Sequence, residues 1–180
     1  MKNSYKYLVL LPLMMVGLIA QAERADRSKP VGLEADRVSV DEKQKIQTFE
    51  GNVRLTQGTL SISTNKLVVR QDADGFQNGV AFGGTEANEG LARFKQKRDG
   101  RNDFIEGEAE RIEHDNRTEK TEFFGRARVK SGLDEVRGPY ISYDGKTENY
   151  VVNGAGSKGG RVTATIQPRD KTNSETPVKP

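Results

Sequence analysis

The chain has 180 residues, with 29 Lys and Arg against 26 Asp and Glu, 33% hydrophobic residues, no Trp and no Cys. A charge so close to balance does not favour a nucleic-acid partner, and the absence of cysteine excludes disulfide staples and thiolate chemistry. The low hydrophobic content is typical of strands that bury one face only.

The first 22 residues have the pattern of a cleavable secretory signal peptide. Lys2 and Lys6 precede an apolar run of 13 residues from Leu8 to Ala20, which ends in the small-residue sequence Ala20-Gln21-Ala22. A membrane span needs about 20 apolar residues, so we expect cleavage after Ala22 rather than anchorage. Cleavage leaves 27 basic residues against 26 acidic ones. The exported chain would then begin with a flexible segment, residues 23–29.

From Val38 onward the hydrophobic residues follow a period of two, as in Leu60/Ile62 and Ile141/Tyr143. Short turn sequences such as Gln57-Gly58 and Asp144-Gly145 separate these runs. The pattern predicts antiparallel strands, and no segment has a sustained helical period.

An internal repeat places residues 34–58 over residues 108–132 at a constant offset of 74. A shorter offset of 29 places Ile112, His114 and Asp115 over Ile141, Tyr143 and Asp144. One hairpin cannot bury its apolar face alone, so the repeats should stack side by side. The sequence therefore predicts an all-β, incompletely closed antiparallel jelly roll or solenoid-like arch over residues 30–166, followed by a disordered tail, residues 167–180.

Three features that suggest chemistry have simpler explanations. Gly154–Gly159 matches a dinucleotide fingerprint, but a strand-like sequence follows it instead of a helix. Asp72–Gly75 resembles the start of a calcium loop, but Gly83 stands where the twelfth-position Glu is required. His114 is the single histidine and has no catalytic or zinc-binding companions nearby. We predict no catalytic residue, metal site or cofactor.

Charged residues occur in two further patterns. Four carboxylates alternate with apolar residues, which is typical of the solvated face of a strand: Glu106, Glu108, Glu110 and Glu113. The basic cluster Arg93–Arg101 has Phe94 interleaved and allows two interpretations. It is either a cationic rim that meets the phosphate of a lipid head group or a charged hairpin tip around Asp99-Gly100.

Two stretches carry a resemblance to a known family: FEGNVRLTQGTLSISTNKLVV, residues 49–69, and VRGPYISYDGKTENYVVNG, residues 136–154. From Pro30 to Ile166 the chain resembles the LptA/OstA-like family of periplasmic lipopolysaccharide-transport bridge proteins. The resemblance implies a twisted, V-shaped OstA-like jelly roll in the periplasm, without enzymatic activity, that binds the lipid A part of lipopolysaccharide. It also implies head-to-tail stacking into homo-oligomers between an inner-membrane-anchored partner of the same fold (LptC type) and an outer-membrane translocon (LptD type).

The strand pattern then predicts an apolar groove for acyl chains. Its inward-facing residues would be Val38, Val40, Phe49, Val53, Leu55, Leu60, Ile62, Phe94, Phe104, Ile112, His114, Phe123, Val129, Ile141 and Tyr143. Free edge strands at each end of the roll would join successive partners by strand addition, the inner-membrane partner at the N-terminal edge and the translocon at the C-terminal edge. The edge residues would be Val31, Leu33, Val162, Ala164 and Ile166.

Three other classes of protein stay open at this point. A purely structural β-solenoid module, without lipid cargo, would have a filled rather than hollow inner face. A different periplasmic lipid or lipoprotein carrier would have a helical lid, for which the sequence has no segment. A carbohydrate-acting enzyme would need convergent carboxylates and aromatic platforms.

Overall fold

The computed structural model describes residues 29–72, 75–84, 90–98, 100–154 and 160–168. The predicted signal peptide, the predicted N-terminal segment up to residue 28, the tail from residue 169, and most of the Gly154–Gly159 loop lie outside these ranges. No helix in the described ranges has the length and apolarity to cross a membrane. The strands there are β1 Gly32–Glu34, β2 Arg37–Asp41, β3 Ile46–Gln57, β4 Leu60–Asp72, β5 Gly75–Phe82, β6 Ala92–Lys97, β7 Phe104–Ala109, β8 Arg111–Asp115, β9 Lys120–Ser131, β10 Asp134–Asp144, β11 Asn149–Asn153 and β12 Thr163–Thr165.

These strands form two layers that share four long strands. In the first layer the hydrogen-bonded order is β2-β3-β4-β5-β8-β9-β10-β11. In the second layer it is β1-β3-β4-β6-β7-β9-β10-β12, and every pair is antiparallel. Because β3, β4, β9 and β10 pass from one layer to the other, the layers join along one side and separate along the opposite side. The predicted incompletely closed antiparallel jelly roll is confirmed.

The joined side consists of bends, of which the best defined are in β3 and β9. The bend in β3 occurs at Gly51 and Asn52, with φ of 79° and 46°, and the strand pairing shifts register there. The amide of Asp36 donates to the carbonyl of Gly51 at 3.0 Å. A Cβ on Gly51 would overlap the Asp36 carboxylate, so both the backbone angle and the space favour glycine.

The bend in β9 repeats this arrangement 74 residues later. Gly125 and Arg126 have φ of 72° and 44°, and the amide of Glu110 donates to the carbonyl of Gly125 at 3.0 Å. The pairing registers repeat as well, since Arg37 lies opposite Glu50 in one repeat and Arg111 lies opposite Phe124 in the other. The sequence repeat is therefore a repeat of strands, bends and registers.

The opposite, open side carries the turns. In the first layer the carboxylates of Asp41, Asp115 and Asp144 each accept backbone N–H bonds from the second and third residues that follow. This turn chemistry explains why aspartate recurs at the offsets of 74 and 29. In the second layer the described turn residues are 58–59, 98, 100–103 and 132–133. The tips of both layers thus face the same side of the molecule.

Candidate functional site: the apolar interior and its rims

The two layers enclose one apolar interior, and aromatic rings meet across it. Phe94 of the second layer contacts Phe123 and His114 of the first, with ring centroids 5.8 and 5.9 Å apart. The Phe123 ring lies so close to Gly107 that a Cβ at that position would overlap it. Glycine at residue 107 therefore admits the ring and lets the layers approach.

Most of the predicted groove residues lie in this interior. Those that are buried are Phe49, Val53, Leu55, Leu60, Ile62, Phe94, Ile112, His114, Phe123, Val129, Ile141 and Tyr143. Their side chains pack against one another, so the expected hollow groove is absent from the middle of the described interior. Hydrocarbon could occupy this region only if the layers moved apart.

The assignment of Phe104 to the inner face is wrong. In β7 the buried residues are Ile105, Gly107 and Ala109, and Phe104 is 36% exposed on the opposite face. The ammonium of Lys95 lies 4.5 Å from its ring centroid. Because successive strand residues point to opposite faces, Ile105 takes the inner position that was expected for Phe104.

Sequence reasoning also missed several interior residues. In β4 the inward set shifts phase after Thr64, from Leu60 and Ile62 to Leu67 and Val69. A strict period of two cannot follow such a shift, although the apolar run of residues 67–69 was a signal for it. The buried apolar residues absent from the predicted groove are Leu67, Val69, Ala81, Ala92, Ile105, Ala109, Ala127 and Val136.

His114 belongs to a small polar pair inside the apolar interior. Its side chain is 4% exposed, and its Nδ1 lies 3.0 Å from the hydroxyl oxygen of Thr121, which is fully buried. A buried polar group needs such a partner. No group of three or more potential metal ligands occurs in the part of the chain that the structure describes.

The two ends of the roll expose apolar side chains on edge strands. At the N-terminal end, Val38 and Val40 of β2 are 51% and 53% exposed, although they share a face with the buried Phe49. A cavity of about 340 Å³ lies beside Val40. At the C-terminal end the exposed apolar residues are Tyr150, Val151, Val162 and Ile166. The interior therefore reaches the surface at both ends.

Of the predicted edge residues, Val31 and Leu33 lie at the β1 edge, half-buried against the core. Val162, Ala164 and Ile166 lie in or beside β12 and are exposed. Strands β1 and β12 form the two edges of the second layer, and β2 and β11 form those of the first. In the described ranges, each end of the roll thus presents two strand edges without a pairing partner.

The outer face of the second layer is polar, as predicted for its carboxylates. Glu106 lies 2.7 Å from Lys95, and Glu108 lies 3.2 Å from Arg128. The Lys95 ammonium lowers the pKa of the Glu106 carboxyl. A groove of about 440 Å³ on this face is lined mainly by charged side chains of both signs, such as Arg93 and Glu108. It offers no continuous apolar surface for hydrocarbon.

One ionic cluster joins the two layers across the open side. Arg98, in the turn after β6, lies 2.9 Å from Glu148, in the turn before β11. Arg98 also lies 3.2 Å from Asp103, and Arg101 lies 3.5 Å from Glu148. We call these four residues the rim cluster. Burial raises the pKa of the neighbouring Tyr143 hydroxyl to about 12, and the Glu148 carboxylate adds to the effect.

Comparison with known proteins gives concordant matches. A family model described as LptA/(LptD N-terminal domain) LPS transport protein matches residues 32–149. The chain is 29% identical to the lipopolysaccharide export system protein LptA of Haemophilus influenzae, over 92% of each chain. It is also 29% identical to the protein of that name in Escherichia coli K12, over 99% of this chain and 95% of the other.

A solved structure shares the fold. It is the crystal structure of LptH, described as the LptA homologous periplasmic component of the lipopolysaccharide transport device from Pseudomonas aeruginosa. The TM-score is 0.71 at 23% identity, and the match covers 80% of this chain and 99% of that one. At this identity the likeness establishes the jelly-roll architecture.

Proposed function

The chain belongs to the LptA/(LptD N-terminal domain) family of LPS transport proteins, and on that premise we propose that it carries lipopolysaccharide across the periplasm. In this proposal the acyl chains of lipid A lie between the two layers, and successive molecules stack head to tail into a bridge. The family membership agrees with the resemblance in the sequence, and the protein is not an enzyme.

Hydrocarbon transfer between membranes needs an apolar path. Burying one methylene is worth about 0.8 kcal/mol, so exposing a 12-carbon acyl chain to water costs on the order of 10 kcal/mol. A lipid with several such chains cannot cross an aqueous compartment unaided. The observation that supports the carrier function is the apolar interior that reaches the surface at both ends, at Val40 and at Ile166.

The filled middle of the interior needs an explanation, because a purely structural module was expected to be filled. The family match favours transport over that alternative. We infer that the layers separate along their open side, where they share no long strand, and that acyl chains replace contacts such as Phe94–Phe123.

Photo-crosslinking tests the acyl-chain site. A photoreactive amino acid is placed at Phe94, Ile112 or His114 in cells that make lipopolysaccharide, with Glu113 as the control. Glu113 is half-exposed, points outward and pairs with Arg111 at 3.2 Å. We expect lipid adducts at the three interior positions and none at Glu113. If the folded, exported protein gave no adduct at any interior position, the structural-module alternative would replace the carrier function.

Head-to-tail stacking has a template inside the chain. The last strands of the first repeat, β5 and β6, pair with the first strands of the second repeat, β8 and β7. The corresponding strands β11 and β12 at one end, and β2 and β1 at the other, have free edges in the described structure. Two copies can therefore repeat the internal junction, with β11 on β2 and β12 on β1. This contact joins different surfaces and so generates open chains.

The repeat fixes the expected register of that junction. Gly79 lies opposite His114 and Ala81 lies opposite Ile112 within the chain. The equivalent positions place Tyr150 opposite Val40 and Val152 opposite Val38 of the next copy. By the same argument the second layer would pair Ile166 with Val31, Ala164 with Leu33, and Val162 with Ala35. The exposed apolar residues of one end then cover those of the other.

Disulfide trapping tests this register, because the native chain has no cysteine. Val38→Cys protein is mixed with Val152→Cys protein under oxidising conditions. We expect rapid formation of a mixed dimer, since directly opposite residues bring their Cβ atoms within disulfide range. Ser39→Cys mixed with Val152→Cys is the control, because those two side chains point to opposite faces. Equal trapping of both mixtures would contradict the register.

The same edges would receive the two membrane partners. We propose that the β1–β2 edge joins the inner-membrane-anchored partner and that the β11–β12 edge joins the outer-membrane translocon. The family description supports a junction between like domains, because it unites LptA with the N-terminal domain of LptD. A photoreactive amino acid at Val38 and one at Val152 should therefore crosslink to different membrane proteins in cells, and crosslinking of the same protein by both would contradict the assigned polarity.

A further inference from the structure

The rim cluster lies where the two layers would have to part. Arg98 and Arg101 belong to the turn between β6 and β7 in the second layer, and Glu148 belongs to the turn between β10 and β11 in the first. These turns are at the open side, opposite the bends at Gly51 and Gly125. An ion pair between them connects the layers at a place where no strand does.

The cluster sits at the boundary between solvent and the apolar interior. The Arg98 side chain is 12% exposed and that of Glu148 is 20% exposed, whereas Arg101 is 53% exposed. Tyr143, which is 3% exposed on the inner face, is close enough to respond electrostatically to Glu148 and Arg98. The Arg98 guanidinium group is therefore next to the region that we assign to hydrocarbon, and Arg101 lies on its solvent side.

The polar groups of the cluster are incompletely satisfied. Arg98 Nε, Asp103 Oδ1 and Glu148 Oε1 are buried and have no hydrogen-bond partner among the residues that the structure describes. A buried polar group without a partner costs free energy, and a half-satisfied network is weaker than a complete one. The Glu148 carboxylate therefore holds the two arginines without meeting all of their hydrogen-bonding capacity.

We propose that Arg98 and Arg101 form a binding site for an anionic group borne on a lipid, phosphate or carboxylate, whose place Glu148 occupies when the layers are closed. This proposal rests on the carrier function and specifies which part of the lipid the rim recognises. As the acyl chains enter between the layers, the anionic head group displaces Glu148 from the guanidinium groups. The contact that Arg98 and Arg101 of one turn make with Glu148 of the other opens with it.

The chemistry of arginine suits this exchange. A guanidinium group offers paired N–H donors that match phosphate and carboxylate oxygens alike, so one anion can replace the other. A free anion would gain the arginine contact alone. An anion attached to hydrocarbon would gain that contact together with burial of its chain beside Tyr143. The two earlier interpretations of the basic cluster, hairpin tip and cationic rim, then describe its closed and open forms.

Calorimetric titration of the exported full-length protein tests the proposal with three probes below their micelle-forming concentrations. The probes are dodecyl phosphate, dodecyl maltoside and inorganic phosphate. We expect dodecyl phosphate to bind about tenfold more tightly than dodecyl maltoside, as for one charge-assisted contact, and inorganic phosphate to bind far more weakly than either. Comparing the affinities for dodecyl phosphate and inorganic phosphate distinguishes a site for an anion on a lipid from a site for a free anion.

Variants assign the preference to the rim. Arg101→Gln should abolish the tenfold preference for dodecyl phosphate, whereas Glu148→Gln should strengthen dodecyl phosphate binding by removing the competing carboxylate. Arg93→Gln is the matched control, because Arg93 is exposed in β6 with the same charge but lines the outer-face groove. It should leave the preference unchanged. Both test variants avoid truncating the mostly buried Arg98, so the fold should be retained, which circular dichroism checks.

Three other results would contradict the rim site, the lipid assignment or the carrier function. If Arg101→Gln and Glu148→Gln behave as Arg93→Gln does, the rim does not bind the head group, although carriage of hydrocarbon stands. Inorganic phosphate that binds as tightly as dodecyl phosphate would show a site for free anions and overturn the lipid assignment. If neither dodecyl probe binds, the interior does not accept hydrocarbon, and the carrier function fails together with this inference.

Discussion

The two repeats have the same inner pattern but different surroundings. Val38 and Val40 of the first repeat correspond to Ile112 and His114 of the second, at the offset of 74. The first pair is about half exposed, whereas the second pair is buried to 4% exposure or less. The difference arises because β8 pairs with β5 of the preceding repeat, whereas β2 pairs only with β3 among the described strands. Within the chain, an inner face of this kind is buried where a neighbouring repeat pairs with its strand.

Truncation at equivalent positions should give the largest contrast between the repeats. Ile112→Ala leaves a cavity among fully packed side chains and should lower the free energy of unfolding by about 2–4 kcal/mol. Val38→Ala, at an exposed position, should lower it by less than about 1 kcal/mol. Urea denaturation of the isolated protein at low concentration measures both. Equal losses would mean that stacking already covers the first repeat under those conditions.

Substitution of the bend glycine should destabilise both repeats to a similar extent, in contrast to truncation at Val38 and Ile112. Gly51→Ala and Gly125→Ala each place a side chain at positive φ and against a carboxylate, and each should cost about 1–3 kcal/mol of stability. Gly90→Ala is the control, since a Cβ there meets no atom within 4 Å. Thermal unfolding measures all three. If Gly51→Ala left the unfolding temperature unchanged while Gly125→Ala lowered it, the first bend would not need glycine.

The polar pair inside the second repeat has no counterpart in the first, where Val40 and Gln47 occupy the places of His114 and Thr121. Thr121→Val removes the hydrogen-bond partner of the buried imidazole and should cost about 1–2 kcal/mol in unfolding free energy. Thr121→Ser keeps the oxygen and should cost less. If Val and Ser are equally tolerated, the hydrogen bond contributes nothing measurable to stability.

Much of this architecture could be predicted from the sequence because its strands repeat. The period of two predicted the strands, and the offset of 74 predicted that they recur, which places the bends at Gly51 and Gly125 at equivalent positions. Phe104 was misplaced because a turn precedes it, and nothing local fixes which face the first residue of a strand occupies. The Arg98–Glu148 contact could not be predicted, since it joins turns 50 residues apart through the packing of two layers. Period and spacing report local geometry, whereas contacts across the open side depend on the curvature of the whole roll.

The smallest expected difference in stability between the repeats comes from an ionised carboxylate on the outer face of the second repeat. Arg128, hydrogen-bonded to Glu135 together with Arg137, lowers the pKa of the Glu135 carboxyl to about 2. In the first repeat Ser61 stands at the equivalent of Glu135, so that repeat has no such carboxylate. An unfolded glutamate titrates near pH 4.3, so ionised Glu135 stabilises the fold above that pH and loses this contribution as pH falls toward 2.

Glu135→Gln should therefore flatten the acid limb of the stability curve between about pH 4.3 and 2. Because Arg128 and Arg137 are partly exposed, the loss at neutral pH should be less than about 1 kcal/mol. Urea denaturation at pH 7 and at pH 3 measures it, and Ser61→Ala serves as the control from the other repeat. If Glu135→Gln lowered stability equally at both pH values, its effect would come from lost packing or hydrogen bonding, because a charge interaction would have weakened at pH 3.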